Sequence, residues 1–306
     1  MAFFLDVAQS ILSTVGLVEP ISEAKAIGSC IEQNARHRKT QEDFLTVHAT
    51  FPATATSSSS SSSSSSTQQE PFTLLSIYDG HGGADAALFA SKNLPTYLAD
   101  TLSFSGGGAE GDEEGDSVLL ALSAAYDKTD MELSKIDKSH LDISLQQGTC
   151  ATNVLVRGGL IYTANVGDSD CCYYEVKDGK VDSKTLTIPH RCSNEAEAKR
   201  IKDAGGFIFR NRVSGTLAVT RALGHRDEKE FISGTPHLSK TEAKEGGWIV
   251  IASDGIWDYL GKDDVGEIVK SGKEEGASAD AICERIKDKV MSKYSRDNIA
   301  IILMFL

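Results

Sequence analysis

The residues best placed to do chemistry sit at the ends of apolar runs. Asp79-Gly80-His81-Gly82 closes the run Phe72-Thr73-Leu74-Leu75-Ser76-Ile77-Tyr78. A short carboxylate leaving a strand, a glycine baring the next backbone carbonyl and a histidine of near-neutral pKa put hard-cation ligands and a proton donor within three residues. Taken alone, Asp-Gly at a strand end is equally ordinary turn chemistry. The pattern recurs, however. Trp248-Ile249-Val250-Ile251-Ala252 runs into Ser253-Asp254-Gly255-Ile256-Trp257-Asp258. Arg38-Lys39-Thr40-Gln41-Glu42-Asp43 enters the run Phe44 to Val47, Arg296-Asp297-Asn298 precedes the run Ile299 to Phe305, and Asp168 lies between two further strand-like segments. Independent turns are not expected to repeat one arrangement so often, and carboxylates at strand ends can converge across a sheet core.

A rival chemistry is present in outline. Cys30-Ile31-Glu32-Gln33-Asn34-Ala35-Arg36 has the Cys-x5-Arg spacing of cysteine-dependent phosphatases. Its loop has no glycine to present backbone amides to phosphate, and Glu32 would repel the anion, so a thiol mechanism is rejected. The six cysteines show no C-x-x-C pairing and no disulfide framework, and reduced thiols are the default. The absence of a Cys/His cluster argues against zinc, whereas all-oxygen ligands suit Mg²⁺ or Mn²⁺.

Taken in order and spacing, these segments, with Gly148-Thr149-Cys150-Ala151, Gly167-Asp168-Ser169 and Arg212 to Gly224, resemble the metal-dependent Ser/Thr protein phosphatases of type 2C over about residues 27 to 306. The resemblance implies an α+β fold, a four-layer αββα sandwich of two central antiparallel sheets flanked by helix pairs. It implies hydrolysis of phosphoserine and phosphothreonine in proteins by a hydroxide bridging two Mg²⁺ or Mn²⁺ ions. Asp79 would bridge the ions, the Gly80 carbonyl would bind one, and Asp254 and Asp297 the other. Asp43 and Glu42 would act through water, and Asp168 with Asp254 would hold a third, weaker ion. Arg38 would present its planar fork to the phosphate, and His81 would protonate the leaving oxygen, a role for which a pKa near 7 is suited. The competing classes are a catalytically weak or inactive relative that binds phosphoproteins, and a hydrolase of small phosphate esters.

Four positions depart from the family pattern. Cys150 stands where a threonine is usual, Asp170 where an Arg follows Gly-Asp-Ser, Pro189-His190 where an Asp-His pair is usual, and His225 where an Asp follows Ala-Leu-Gly. Asp170 and His225 together invert the expected charges, so a charge-swapped pair between them is hypothesised.

The elements that must position these groups follow from periodicity. Strand-like runs cover 149–156, 160–164 and 171–176, with Arg157-Gly158-Gly159 as a hairpin turn and Cys171 and Cys172 on opposite faces. Helical spacing covers 84–102, with Pro95 as a kink or break, then 117–137, a capped helix opened by Ser193 and ending near Ala204, and helices at 263–271 and 278–292. Residues 1–22 form an amphipathic extension, and 23–306 the catalytic domain. That domain is interrupted by a flexible loop at 53–70, holding the ten serines Ser57 to Ser66, and by an acidic Gly-rich loop at 105–116.

A chain of 306 residues with 40% hydrophobic and 25% charged residues can bury a large core. No apolar run reaches the roughly 18 residues of a membrane span. The formal charge of -13 argues against nucleic acid, which is held by Lys and Arg clusters. The expected partners are phosphorylated protein substrates, and the expected protein is a monomer in the cytoplasm, the nucleus or both.

Overall fold

The structure is a computed structural model that describes residues 27–51, 71–105, 112–136 and 146–306. The expected N-terminal extension and serine-rich loop lie outside these residues. Two antiparallel sheets form the centre. One has the order β1 (Ile27–Glu32), β13 (Ile299–Phe305), β12 (Trp248–Ala252), β6 (Asp170–Lys177) and β7 (Lys180–Thr185). The other runs β11 (His237–Glu242), β5 (Leu160–Val166), β4 (Gly148–Arg157), β3 (Phe72–His81) and β2 (Asp43–Phe51), with the short β10 (Leu223–Gly224) pairing with β4. Helices α1 (Asp85–Ser105) and α2 (Asp112–Lys135) cover the second sheet; α5 (Lys262–Glu274) and α6 (Ala279–Ser292) cover the first. The expected αββα sandwich is therefore the observed fold.

Strand alternation explains why the central runs read as continuously apolar. Leu74 and Tyr78 of β3 face α1 and α2, where they meet Leu94, Leu98 and Leu122, whereas Leu75 and Ile77 face the opposite sheet. Residues 299, 301 and 303 of β13 pack with Ile282, Ile286 and Val290 of α6, and 300, 302 and 304 pack between the sheets. Both faces of β3 and β13 are buried, so no polar alternation survives in them. Cys171 and Cys172 take opposite faces as expected. Each fully buried aliphatic side chain contributes about 1.5–3 kcal/mol of transfer free energy, which is why the strands hold their register close to the carboxylates they carry.

Several local expectations are corrected. Helix α1 does not break at Pro95 but runs on to Ser105, because Leu94 and Leu98 on either side of it are fully buried and anchor both halves. Helix α2 starts at Asp112 and α1 reaches Ser105, so both ends of the expected Gly-rich loop are helical. In α3 (Glu195–Asp203) the cap is Asn194 rather than Ser193, its side chain accepting from the backbone N–H of Ala196 at 3.0 Å and of Glu197 at 3.4 Å. A two-stranded hairpin of β8 (Ile208–Phe209) and β9 (Arg212–Val213) follows α3. Cys30 sits in β1 with its thiol buried against Glu284, and both effects push the thiol well up, which removes the nucleophile the Cys-x5-Arg spacing suggested. All six cysteines are free. No helix among the described residues is long and apolar enough to cross a membrane.

Candidate metal centre

The carboxylates gather at one end of the sandwich. Asp43 opens β2 and pairs in register with Asp79 near the end of β3, whose other neighbour is Cys150 of β4. Side chains two apart on a strand share a face, so Asp79 and His81 point the same way. From the other sheet, Asp254 begins the single-turn helix α4 (Asp254–Trp257) directly after β12, and Asp297 precedes β13. Asp168 lies in the turn between β5 and β6. Ser253 ties the sheets together. Its hydroxyl donates to Asp43 Oδ2 at 2.8 Å and accepts from the Ala300 N–H at 3.0 Å.

Close approach decides the backbone here. The Gly80 N–H donates to the Glu42 carbonyl at 3.0 Å, and a Cβ on Gly80 would lie 2.7 Å from that same oxygen. Gly167, at φ +90, turns the chain into Asp168; a Cβ there would lie 2.2 Å from Cys150 Sγ. Gly167→Ala combines a left-handed strain with a clash against a buried thiol, so it should destabilise the protein by about 2–4 kcal/mol, read from the midpoint of urea unfolding. An unchanged midpoint would refute the constraint.

Asn298 is a clamp whose role the sequence left undefined. Its Nδ2 donates to the Gln33 carbonyl at 2.7 Å and the Thr40 carbonyl at 3.2 Å, while its Oδ1 accepts from the Glu42 N–H at 3.0 Å. The segment carrying Arg38 is thus tied to the strand that follows Asp297. Arg38 itself pairs with Asp297, donates through Nε to the Arg296 carbonyl at 3.3 Å, and has Nη1 4.0 Å from Glu42 Oε2. Its side chain is 40% exposed, so the fork can reach a ligand from solvent.

The electrostatics are those of crowded, desolvated acids. Asp43 and Asp168 are 2% and 5% exposed. Burial, opposed by the Ser253 hydrogen bond and reinforced by Asp297, pushes Asp43 up to about 7. Burial and the charges of Asp43, Asp254, Asp168 and Asp297 hold Asp79 well above the carboxylate range, and burial with Asp168 and Asp297 does the same to Asp254. Ligand atoms of Asp79, Cys150 and Asp168 lie within 4.8 Å of one another, and Cys150 Sγ donates to Asp168 Oδ1 at 3.3 Å. A cluster of carboxylate oxygens with an adjacent backbone carbonyl is a donor set that fits hard divalent cations.

One cation reaches into this cluster that the sequence reading missed. Arg191 donates to Asp168 Oδ2 at 2.7 Å, to Asp258 Oδ1 at 2.8 Å and to Asp254 Oδ2 at 3.2 Å. The signal available was charge balance: buried carboxylates need a counter-ion, and Arg191 lies in the segment after β7, next to His190. His190 also keeps a role despite its altered neighbour. Its Nδ1–H donates to the Gly167 carbonyl at 3.1 Å, holding the turn that aims Asp168.

Two expectations fail. Asp170 accepts from Lys262 Nζ at 2.6 Å and from the Thr187 hydroxyl at 2.6 Å, while His225 lies tilted beside His81 with ring centroids 5.5 Å apart. The charge-swapped pair is not formed, because lysine supplies the charge Asp170 needs. Nor does His81 titrate near neutrality. Its Nε2 is buried without a hydrogen-bond partner against Gly148, and burial together with His225 lowers its pKa to about 3.

The model of the family described as protein phosphatase 2C matches residues 31–299. The chain is 34% identical over 233 residues to protein phosphatase 2C homolog 3 of Schizosaccharomyces pombe, covering 73% of this chain and 52% of that one. It is 30% identical to human protein phosphatase 1B, covering 77% and 51%. The chain thus spans about half the length of these curated relatives. Among solved structures it is similar to the serine-threonine phosphatase 2C of Toxoplasma gondii, with a TM-score of 0.74 at 19% identity, over 94% of this chain and 97% of that one. A C. elegans sex determining protein superposes with a TM-score of 0.71 at 21% identity, over 99% and 70%. With a family model matched across most of its length and relatives of that name, the chain belongs to the protein phosphatase 2C family.

Proposed function

We propose that this chain hydrolyses phosphoserine and phosphothreonine in proteins at a centre for two Mg²⁺ or Mn²⁺ ions. The observation that carries the reading is the convergence, from both sheets, of Asp43, Asp79, Asp168, Asp254 and Asp297 into one cluster, in which Asp43 and Asp168 are buried. Asp79 and the Gly80 carbonyl would hold one ion, Asp79, Asp254 and Asp297 the other, with Asp43 and Glu42 acting through water. When bound, such ions lower the pKa of a water and offset charge on the phosphoryl oxygens.

The chain's own groups do the rest. Arg38, already oriented by Asp297 and the Arg296 carbonyl, offers a planar pair of N–H donors to a phosphate dianion. His81 is neutral at pH 7 in this structure; a phosphate dianion nearby is the charge that draws a proton onto it, ready for transfer to the leaving oxygen. The buried thiols, held protonated, take no part.

The test is phosphate release from a phosphothreonine peptide. Turnover is expected with Mn²⁺, is abolished by EDTA and survives thiol alkylation. Binding of the phosphopeptide without metal-dependent turnover would favour a phosphoprotein-binding module instead. A small phosphate ester hydrolysed faster than the peptide would point to small-molecule substrates.

A further inference from the structure

Three residues stand in register across neighbouring strands where β3 ends: His81 lies opposite Gly148 of β4, and Gly148 opposite Gly224 of β10. A glycine at the middle position leaves room for the His81 imidazole, since a Cβ on Gly148 would come within 2.6 Å of its Nε2. Directly after Gly224 comes His225, whose ring stands against that of His81 with centroids 5.5 Å apart and planes inclined by 43°. Gly148 is thus the floor of a slot and His225 its wall. We propose that His225 is a positioning residue for His81, holding the imidazole where it gives a proton to the leaving oxygen of a phosphoserine or phosphothreonine. This rests on the reading of His81 in the proposed function.

The wall is held in place against its own backbone preference. His225 has φ 52 and ψ 56, a left-handed conformation that residues other than glycine persist in only where the surroundings over-determine it. Here they do. The His225 N–H donates to the Gln147 carbonyl at 2.8 Å and the Gly224 N–H to Asp130 Oδ1 at 2.8 Å, while Lys229 Nζ lies 2.7 Å from that same oxygen. The His225 side chain is buried, and its Nδ1 has no hydrogen bond, Glu228 Oε2 lying 4.0 Å away. His81 Nε2 is unpartnered as well. No hydrogen bond fixes either ring at these nitrogens, so the rings orient each other by packing. In the reaction, the electron pair of the breaking P–O bond goes to the leaving oxygen, which takes a proton from His81 as hydroxide derived from water replaces it on phosphorus. Misplacing a reacting group by about 1 Å can lower a rate by about a hundredfold.

The experiment measures kcat and KM of the full chain at saturating Mn²⁺ on two esters. A phosphothreonine peptide releases an alkoxide that needs a proton, whereas para-nitrophenyl phosphate releases a stable anion that does not. His225→Asn keeps a residue that tolerates the left-handed backbone and removes the ring. The ratio of peptide to nitrophenyl kcat is expected to fall by about 10- to 100-fold, with the peptide KM within about twofold of wild type. His225→Phe restores a ring without the nitrogens and is expected to recover most of the ratio. His81→Asn is expected to lower the ratio by itself, and adding His225→Asn to it is expected to lower it no further. An unchanged ratio in His225→Asn, no recovery in a folded His225→Phe, or a further fall on the His81→Asn background would overturn the proposal while metal-dependent hydrolysis stands. The double variant decides the matter even if His225→Phe does not fold. A wild-type chain with no Mn²⁺-dependent turnover of either ester would overturn the proposed function and this inference with it.

Discussion

Replacing Asp79 with asparagine is expected to lower kcat/KM for a phosphothreonine peptide at saturating Mn²⁺ by about a thousandfold or more. The carboxylate stands between Asp43 on one neighbouring strand and Cys150 on the other, so no second group can move into its place. Divalent ions supply several kcal/mol of transition-state charge stabilisation, and about 4 kcal/mol corresponds to three decades in rate. Stability should move the other way. Asp79 is a desolvated acid surrounded by four others, and an amide of the same shape removes that repulsion. The metal-free variant should therefore unfold at the same temperature as wild type or higher. A variant that loses both activity and thermal stability would show that Asp79 holds the fold rather than the metal.

The second large effect concerns the metal-free protein and pH. Asp43 is raised to about 7, and Asp79 and Asp254 are raised well above the usual range. An acid whose folded pKa lies above its unfolded value near 4 binds more protons in the folded state at intermediate pH, so stability falls as pH rises. In EDTA the melting temperature should decline from about pH 4 through about pH 7, the window set by the Asp43 value. Mn²⁺ should reverse the decline. Two ions each at 100 times their dissociation constant contribute about 5 kcal/mol, on the order of 10 °C for a domain of this size. Differential scanning calorimetry across pH, with EDTA and with Mn²⁺, reads both. A flat profile in EDTA would mean that the carboxylates are neutralised by the protein itself.

The sheet core was legible because both faces of its strands are buried. Runs such as Trp248 to Ala252 and Ile299 to Phe305 admit little else, and the acids at their ends had to meet once the strands paired. The short pieces were not legible. β10 pairs only two residues with β4, and β8 with β9 only two, so neither has a periodicity to read. Asn194 capped α3 in place of Ser193 because either residue type can cap a helix and only the backbone path, extended at Asn194, selects between them. In the cluster, the acids announced themselves by position, whereas Arg191 and the His81–His225 contact depend on how loops return to the sheet ends. Charge inversion at Asp170 and His225 looked like a pair on a line of sequence. In space each had a nearer partner.

The Asn298 clamp has an energetic consequence for ligand capture. Because one amide secures the Gln33 and Thr40 carbonyls and the Glu42 N–H, the segment bearing Arg38 loses its conformational entropy at folding rather than at binding. Loop ordering is one of the main costs that separate contact area from affinity. A phosphoryl group arriving at this end of the sandwich meets an arginine whose backbone is already fixed, and the free energy of that contact goes into holding the anion.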